Sequence, residues 1–77
     1  MPTVKTIDAV KIDIYSREHL PPHFHILYAE YEELIVIETL NTYIGYVPKK
    51  QRKKVTDWAL NNRKYLLEVF KQLNPKL

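Results

Sequence analysis

Hydrophobic and polar positions change period along the chain. Val10, Ile12 and Ile14 alternate with Lys11, Asp13 and Tyr15, the two-residue period of a strand with one buried face. The pattern breaks at SREHLPP. Proline fixes φ at about −65°, withholds a backbone donor and disfavours helix at the residue before it, so Leu20-Pro21-Pro22 is extended or sharply turned. Two runs rich in β-branched and aromatic residues follow, HFHILYAE and LIVIE. Tyr31-Glu32-Glu33 between them suits a tight connection, although it lacks the usual Gly or Asn. Thr42 to Val47 holds the only glycine, Gly45, and reads as a bent edge strand. Beyond it the period lengthens. Val55, Trp58, Ala59, Leu66, Val69, Phe70 and Leu73 recur at spacings of three and four, with one polar gap at Asn62. Pro48 suits a first helical turn and Asn74-Pro75 a stop. Trp58 and Phe70 read as core, Trp58 as its main anchor, and Tyr65 sits beside the stripe with its hydroxyl in water. These periods predict an α+β fold in which a small three- to four-stranded antiparallel sheet, within about residues 3–47, is covered by one long C-terminal helix over about residues 48–73.

The 77 residues suit a single domain, predicted over 1–77. A chain this short buries only about 60 % of the surface it exposes when unfolded, so a homo-oligomer, most simply a dimer, is expected. Ordinary globular hydrophobic and charged content excludes a disordered tail. The absence of cysteine excludes disulfides, thiolate zinc sites and a cysteine nucleophile, leaving nitrogen and oxygen for any metal. MPTVKTIDAVKID lacks the apolar core of a signal peptide, and no run approaches the ~20 apolar residues of a membrane span. The expectation is a cytoplasmic protein with no membrane partner.

The net charge of +3 conceals a division. Residues 1–47 carry three basic side chains against seven acidic, a balance of −4, whereas residues 48–77 carry nine against two, a balance of +7. Five cations, Lys49, Lys50, Arg52, Lys53 and Lys54, crowd the predicted helix start, where the macrodipole favours anions. Arg63 and Lys64 extend the positive surface along the same helix, and Tyr43 and Tyr46 precede it as stacking faces. Together these seven cations form a candidate surface for a partner protein or nucleic acid. A merely solubilising helix end accounts for the same charges, and no base-reading motif accompanies them.

All three histidines fall within EHLPPHFHI. On a strand His23 and His25 share a face. Two imidazoles at that spacing can converge on one cation, with His19 reaching back across the prolines and Glu30 or Glu18 as carboxylate, a set suited to zinc or manganese. A stiff turn whose imidazoles donate to backbone carbonyls accounts for the same residues without metal. No nucleophile elbow, phosphate loop or oxyanion turn is present, and Ser16 is the sole serine.

The opening MPTV, EHLPPHFHI, IETL, GYVP, VTDWA, Asn62-Arg63 and Leu66 together resemble the small bacterial family called domain of unknown function 4160. Sequences similar to it often carry glycine at the position of Ala29, histidine at Asn62, glutamate at Tyr65 and tryptophan at Phe70, whereas His19, His23 and His25 match. The resemblance implies a bacterial protein of small gene pairs, toxin–antitoxin-like or regulatory, and establishes no activity. The leading expectation is therefore a non-enzymatic interaction module with no cofactor, binding a partner protein or nucleic acid. The alternative is a histidine-based metal site built from His19, His23, His25 and Glu30, of the kind that serves a metal-dependent hydrolase or nuclease. In a third reading both clusters are structural only.

Overall fold

The structure is a computed structural model that describes residues 3–76; Met1 and Pro2 of the opening motif, and Leu77, lie outside it. Five strands, β1 (Thr3–Ile7), β2 (Val10–Asp13), β3 (His23–Tyr28), β4 (Tyr31–Val36) and β5 (Thr42–Tyr46), form one antiparallel sheet in chain order. Two helices follow, α1 (Lys49–Leu60) and α2 (Arg63–Leu73). The α+β class agrees with the sequence expectation; the counts of strands and helices do not. β1 was missed because only Val4 and Ile7 of TVKTI are partly buried, which leaves no two-residue alternation to detect. The β3–β4 turn is Ala29-Glu30 and not Tyr31-Glu32-Glu33. Ala29 takes a positive φ of 53°, a region that favours glycine, so the turn carries no glycine signal in this sequence.

The single long helix is two because of Asn62. Its side-chain amide donates to the Trp58 carbonyl at 2.7 Å while its backbone N–H donates to Ala59 O at 2.9 Å, closing the carbonyl end of α1. Its own carbonyl then accepts the Leu66 N–H at 2.9 Å and opens α2. The polar gap in the apolar stripe is thus the break between helices.

The core lies between one sheet face and the helices. Ile12 pairs in register with Ile26, and Phe24 with Ile35, so these side chains line one face. Val55 and Ala59 of α1 and Leu66 and Phe70 of α2 close over it, all essentially inaccessible to water. Trp58, expected as the anchor, is only partly buried and packs at the margin. Alternation sends His23 and His25 to the opposite face, where Asp13 is the cross-strand neighbour of His25. Among the described residues no helix is long and apolar enough to cross a membrane.

One ionic group lies on the helix side. Glu33, 1 % exposed, accepts from the Val47 N–H at 3.0 Å, from Arg52 Nε at 2.8 Å and from the Thr42 hydroxyl. Arg52 Nη2 also donates to Leu40 O at 2.9 Å. The network ties β4, β5 and α1 together. At Gly45, directly opposite Glu33 in register, φ is 90° and an added Cβ would overlap the Glu32 carbonyl oxygen, so the glycine is required.

Candidate metal centre

The segment between β2 and β3 is pinned by the far end of the chain. Asn74, just beyond α2, accepts the Glu18 N–H at 2.8 Å on its Oδ1 and donates from Nδ2 to Tyr15 O at 3.0 Å. This holds Glu18 over the first residues of β3. Its two carboxylate oxygens reach two different imidazoles, Oε2 lying 3.1 Å from His23 Nε2 and Oε1 3.1 Å from His25 Nε2. The His23 side chain is fully buried, and those of His25 and Glu18 are 11 % and 17 % exposed. One ligand atom from each of Glu18, His23 and His25 lies within 4.8 Å of the others.

The remaining ring nitrogens are also held. His23 Nδ1 is 2.8 Å from Pro21 O, and a carbonyl only accepts, so this nitrogen carries a proton. His25 Nδ1 is 3.0 Å from Glu32 Oε2, and an ionised carboxylate likewise only accepts. When the rings are neutral, both Nε2 atoms therefore present lone pairs to an anionic Glu18. Lone pairs facing a carboxylate repel unless a cation, proton or metal, lies between them. The same outer contacts that fix the tautomers are those that orient metal-ligating histidines.

The surroundings add negative charge. Asp13, beside His25 and 1 % exposed, accepts from the Tyr15 hydroxyl at 3.2 Å on Oδ2 and faces Lys11 Nζ at 3.8 Å, but its buried Oδ1 has no hydrogen-bond partner among the described residues. Burial pushes the Tyr15 hydroxyl pKa above its ordinary value of 10.0, reinforced by Asp13 and by the carboxylates of Glu32 and Glu18. The Tyr15 ring stands edge-on to His25, 4.4 Å between centroids. Three carboxylates thus gather around two imidazoles, with Lys11 the sole ammonium paired to them among the described residues.

Of the residues expected at a metal site, the structure brings His23 and His25 together and supplies Glu18 as the carboxylate. His19 is exposed and stacks on His23 at 5.3 Å, with Nδ1 3.3 Å from Leu20 O, so it borders the group without joining it. Glu30 lies in the exposed β3–β4 turn, outside the cluster. Glu32 and Asp13 were not foreseen. Placing the turn at Ala29-Glu30 would have found Glu32, because the register then sets Leu34 opposite His25 and Glu32 diagonal to it.

The expected basic surface divides. Arg52 is committed to Glu33, Lys53 pairs with Asp57 at 2.9 Å and Lys54 with Asp8 at 3.0 Å. Lys49, Lys50, Arg63 and Lys64 are exposed and have no ion-pair partner among the described residues. The starts of α1 and α2 are separated by the 12 residues of α1, about 18 Å along its axis, so these four form two pairs and not one stripe.

A family model described as a domain of unknown function (DUF4160) matches residues 10–71, and the chain belongs to that family. The match spans β2 to α2 and includes Glu18, His23, His25 and Glu32. Neither a curated protein nor a solved structure matches the chain.

Proposed function

We propose that this member of the family of unknown function 4160 binds a divalent transition-metal ion through Glu18, His23 and His25, and uses it as a Lewis acid in hydrolysis. The observation that carries the reading is the convergence of two Nε2 lone pairs and one carboxylate, each ring being fixed from behind by Pro21 O or Glu32. Two ligands each ~2.1 Å from a tetrahedral ion stand about 3.4 Å apart, close to the 3.1 Å that separates each imidazole Nε2 from a Glu18 oxygen, and the whole donor set lies within 4.8 Å. Two imidazoles and a carboxylate suit zinc, manganese or iron, and three protein ligands leave a position for water, as in catalytic sites. A dication also offsets the local excess of carboxylates and offers Asp13 Oδ1 a nearby positive charge.

Isothermal titration of the metal-stripped protein with zinc tests the reading. One ion per chain is expected, with a rise in melting temperature that Glu18→Gln removes. Because metal and protons compete for the same lone pairs, affinity should fall on acidification. Equal zinc binding by the parent and Glu18→Gln, or none by the parent, sinks the proposal.

The interaction-module reading is favoured by a separate observation. The edge strand β5 exposes Ile44 and Tyr46 at 56 % and 61 %, and leads directly into Lys49 and Lys50, which have no ion-pair partner among the described residues. A partner protein or nucleic acid of a toxin–antitoxin-like or regulatory pair would dock there, and a dimer edge would use the same strand. Nucleic-acid binding that weakens steeply with salt and is lost in Lys49→Glu/Lys50→Glu is the expected signature; salt-independent binding, or none at low salt, removes it.

A further inference from the structure

Pro21 and Pro22 have a second face. Behind them a cleft of about 510 Å³ opens between the end of β4 and the start of α2. Its walls are apolar, supplied by the prolines, Val36, Ile37 and Leu67, and its rim carries Arg63 and Lys64. That volume lies within the range of small-molecule sites, which are mostly apolar with a few placed polar groups.

The charges on the rim choose the ligand. Arg63 and Lys64 make no ion pair among the described residues. They also stand in the first turn of α2, which contains no acidic residue, so the two cations and the helix dipole act in the same direction. Glu38 shares the lining and reduces the charge of the cleft to about +1. A phosphodiester chain would bring repeated negative charges against Glu38, whereas a single carboxylate needs only the cationic rim. The body attached to that carboxylate would rest on proline rings and on Leu67.

We propose that this cleft binds a small monocarboxylate with an apolar body, such as a medium-chain fatty or aromatic acid, independently of the metal centre. Sodium octanoate is the probe, titrated into the full chain with a chelator present so that the metal reading plays no part. Amide NMR shifts should saturate and centre on residues 36–38 and 63–67. Octanol should bind at least about tenfold more weakly, and Arg63→Gln/Lys64→Gln should cost a similar factor, the scale of a charge-assisted hydrogen bond. Lys49→Gln/Lys50→Gln should leave affinity unchanged. Both pairs are exposed, and the fold is checked by amide dispersion. Octanol binding as tightly as octanoate, undiminished binding in the Arg63/Lys64 variant, failure to saturate, or displacement of octanoate by a short thymidine oligonucleotide would each overturn the proposal.

Discussion

Glu33 and Glu18 are both carboxylates drawn toward the interior, one on each side of the sheet; Glu33 gathers its partners from 9 to 19 residues along the chain, whereas the two imidazoles at Glu18 lie only 5 and 7 residues away. Their partners differ in kind. Glu33 meets a guanidinium, a backbone N–H and a hydroxyl, all able to donate whatever the solution contains. Glu18 meets two imidazoles whose outer nitrogens are already held by Pro21 O and Glu32, so its own contacts are favourable only if a proton or an ion joins them. Complete partnering makes the first network a fastener. Incomplete partnering makes the second a site, since a buried polar cluster short of positive charge gains most from a cation that arrives.

The comparison can be broken most severely at Glu33. Glu33→Ala leaves Arg52 without its carboxylate and the Val47 N–H without an acceptor. Loss of a partner in a buried pair costs about 3–5 kcal/mol, and since the Arg52 side chain is 27 % exposed the lower end is expected, as measured by urea unfolding. Zinc should neither worsen nor repair that loss except by its ordinary binding term. Glu18→Gln is the converse case. Metal-free stability should change by less than about 1 kcal/mol, because an amide can donate to one Nε2. The stabilisation given by zinc at about one hundred times its dissociation constant, about 2.7 kcal/mol in the parent, should vanish. A large metal-free loss in Glu18→Gln would mean that the two glutamates are alike after all. The smallest effect belongs to Lys53→Ala. Its pair with Asp57 is exposed on both sides and contributes about 0.5 kcal/mol at most, so melting should shift within error while the charge of α1 falls by one.

The sequence made the two periodicities legible, and with them the α+β class, the face shared by His23 and His25, and the apolar stripe of the helices. The number of elements was less so. A helix break made by an asparagine that turns back onto Trp58 O looks, in sequence, like one polar residue on an apolar face. A hairpin turn carried by alanine at positive φ gives no turn signal, and missing it displaced the expected β-turn by two residues, which hid Glu32. The basic run illustrates a different limit. Lys53 could have been assigned to Asp57 by its four-residue spacing, but the partners of Arg52 and Lys54 lie 19 residues and more away along the chain and emerge only when β4 and the β1–β2 turn are in place. For the same reason Glu18 was a plausible ligand among others until Asn74, 56 residues distant, fixed where it points.

Pro21 belongs to two neighbourhoods at once: its carbonyl steadies the ring of His23, and its pyrrolidine forms part of the wall facing Leu67. A position-by-position scan of the loop would therefore single out this residue as the place where two otherwise separate ligand assays move together.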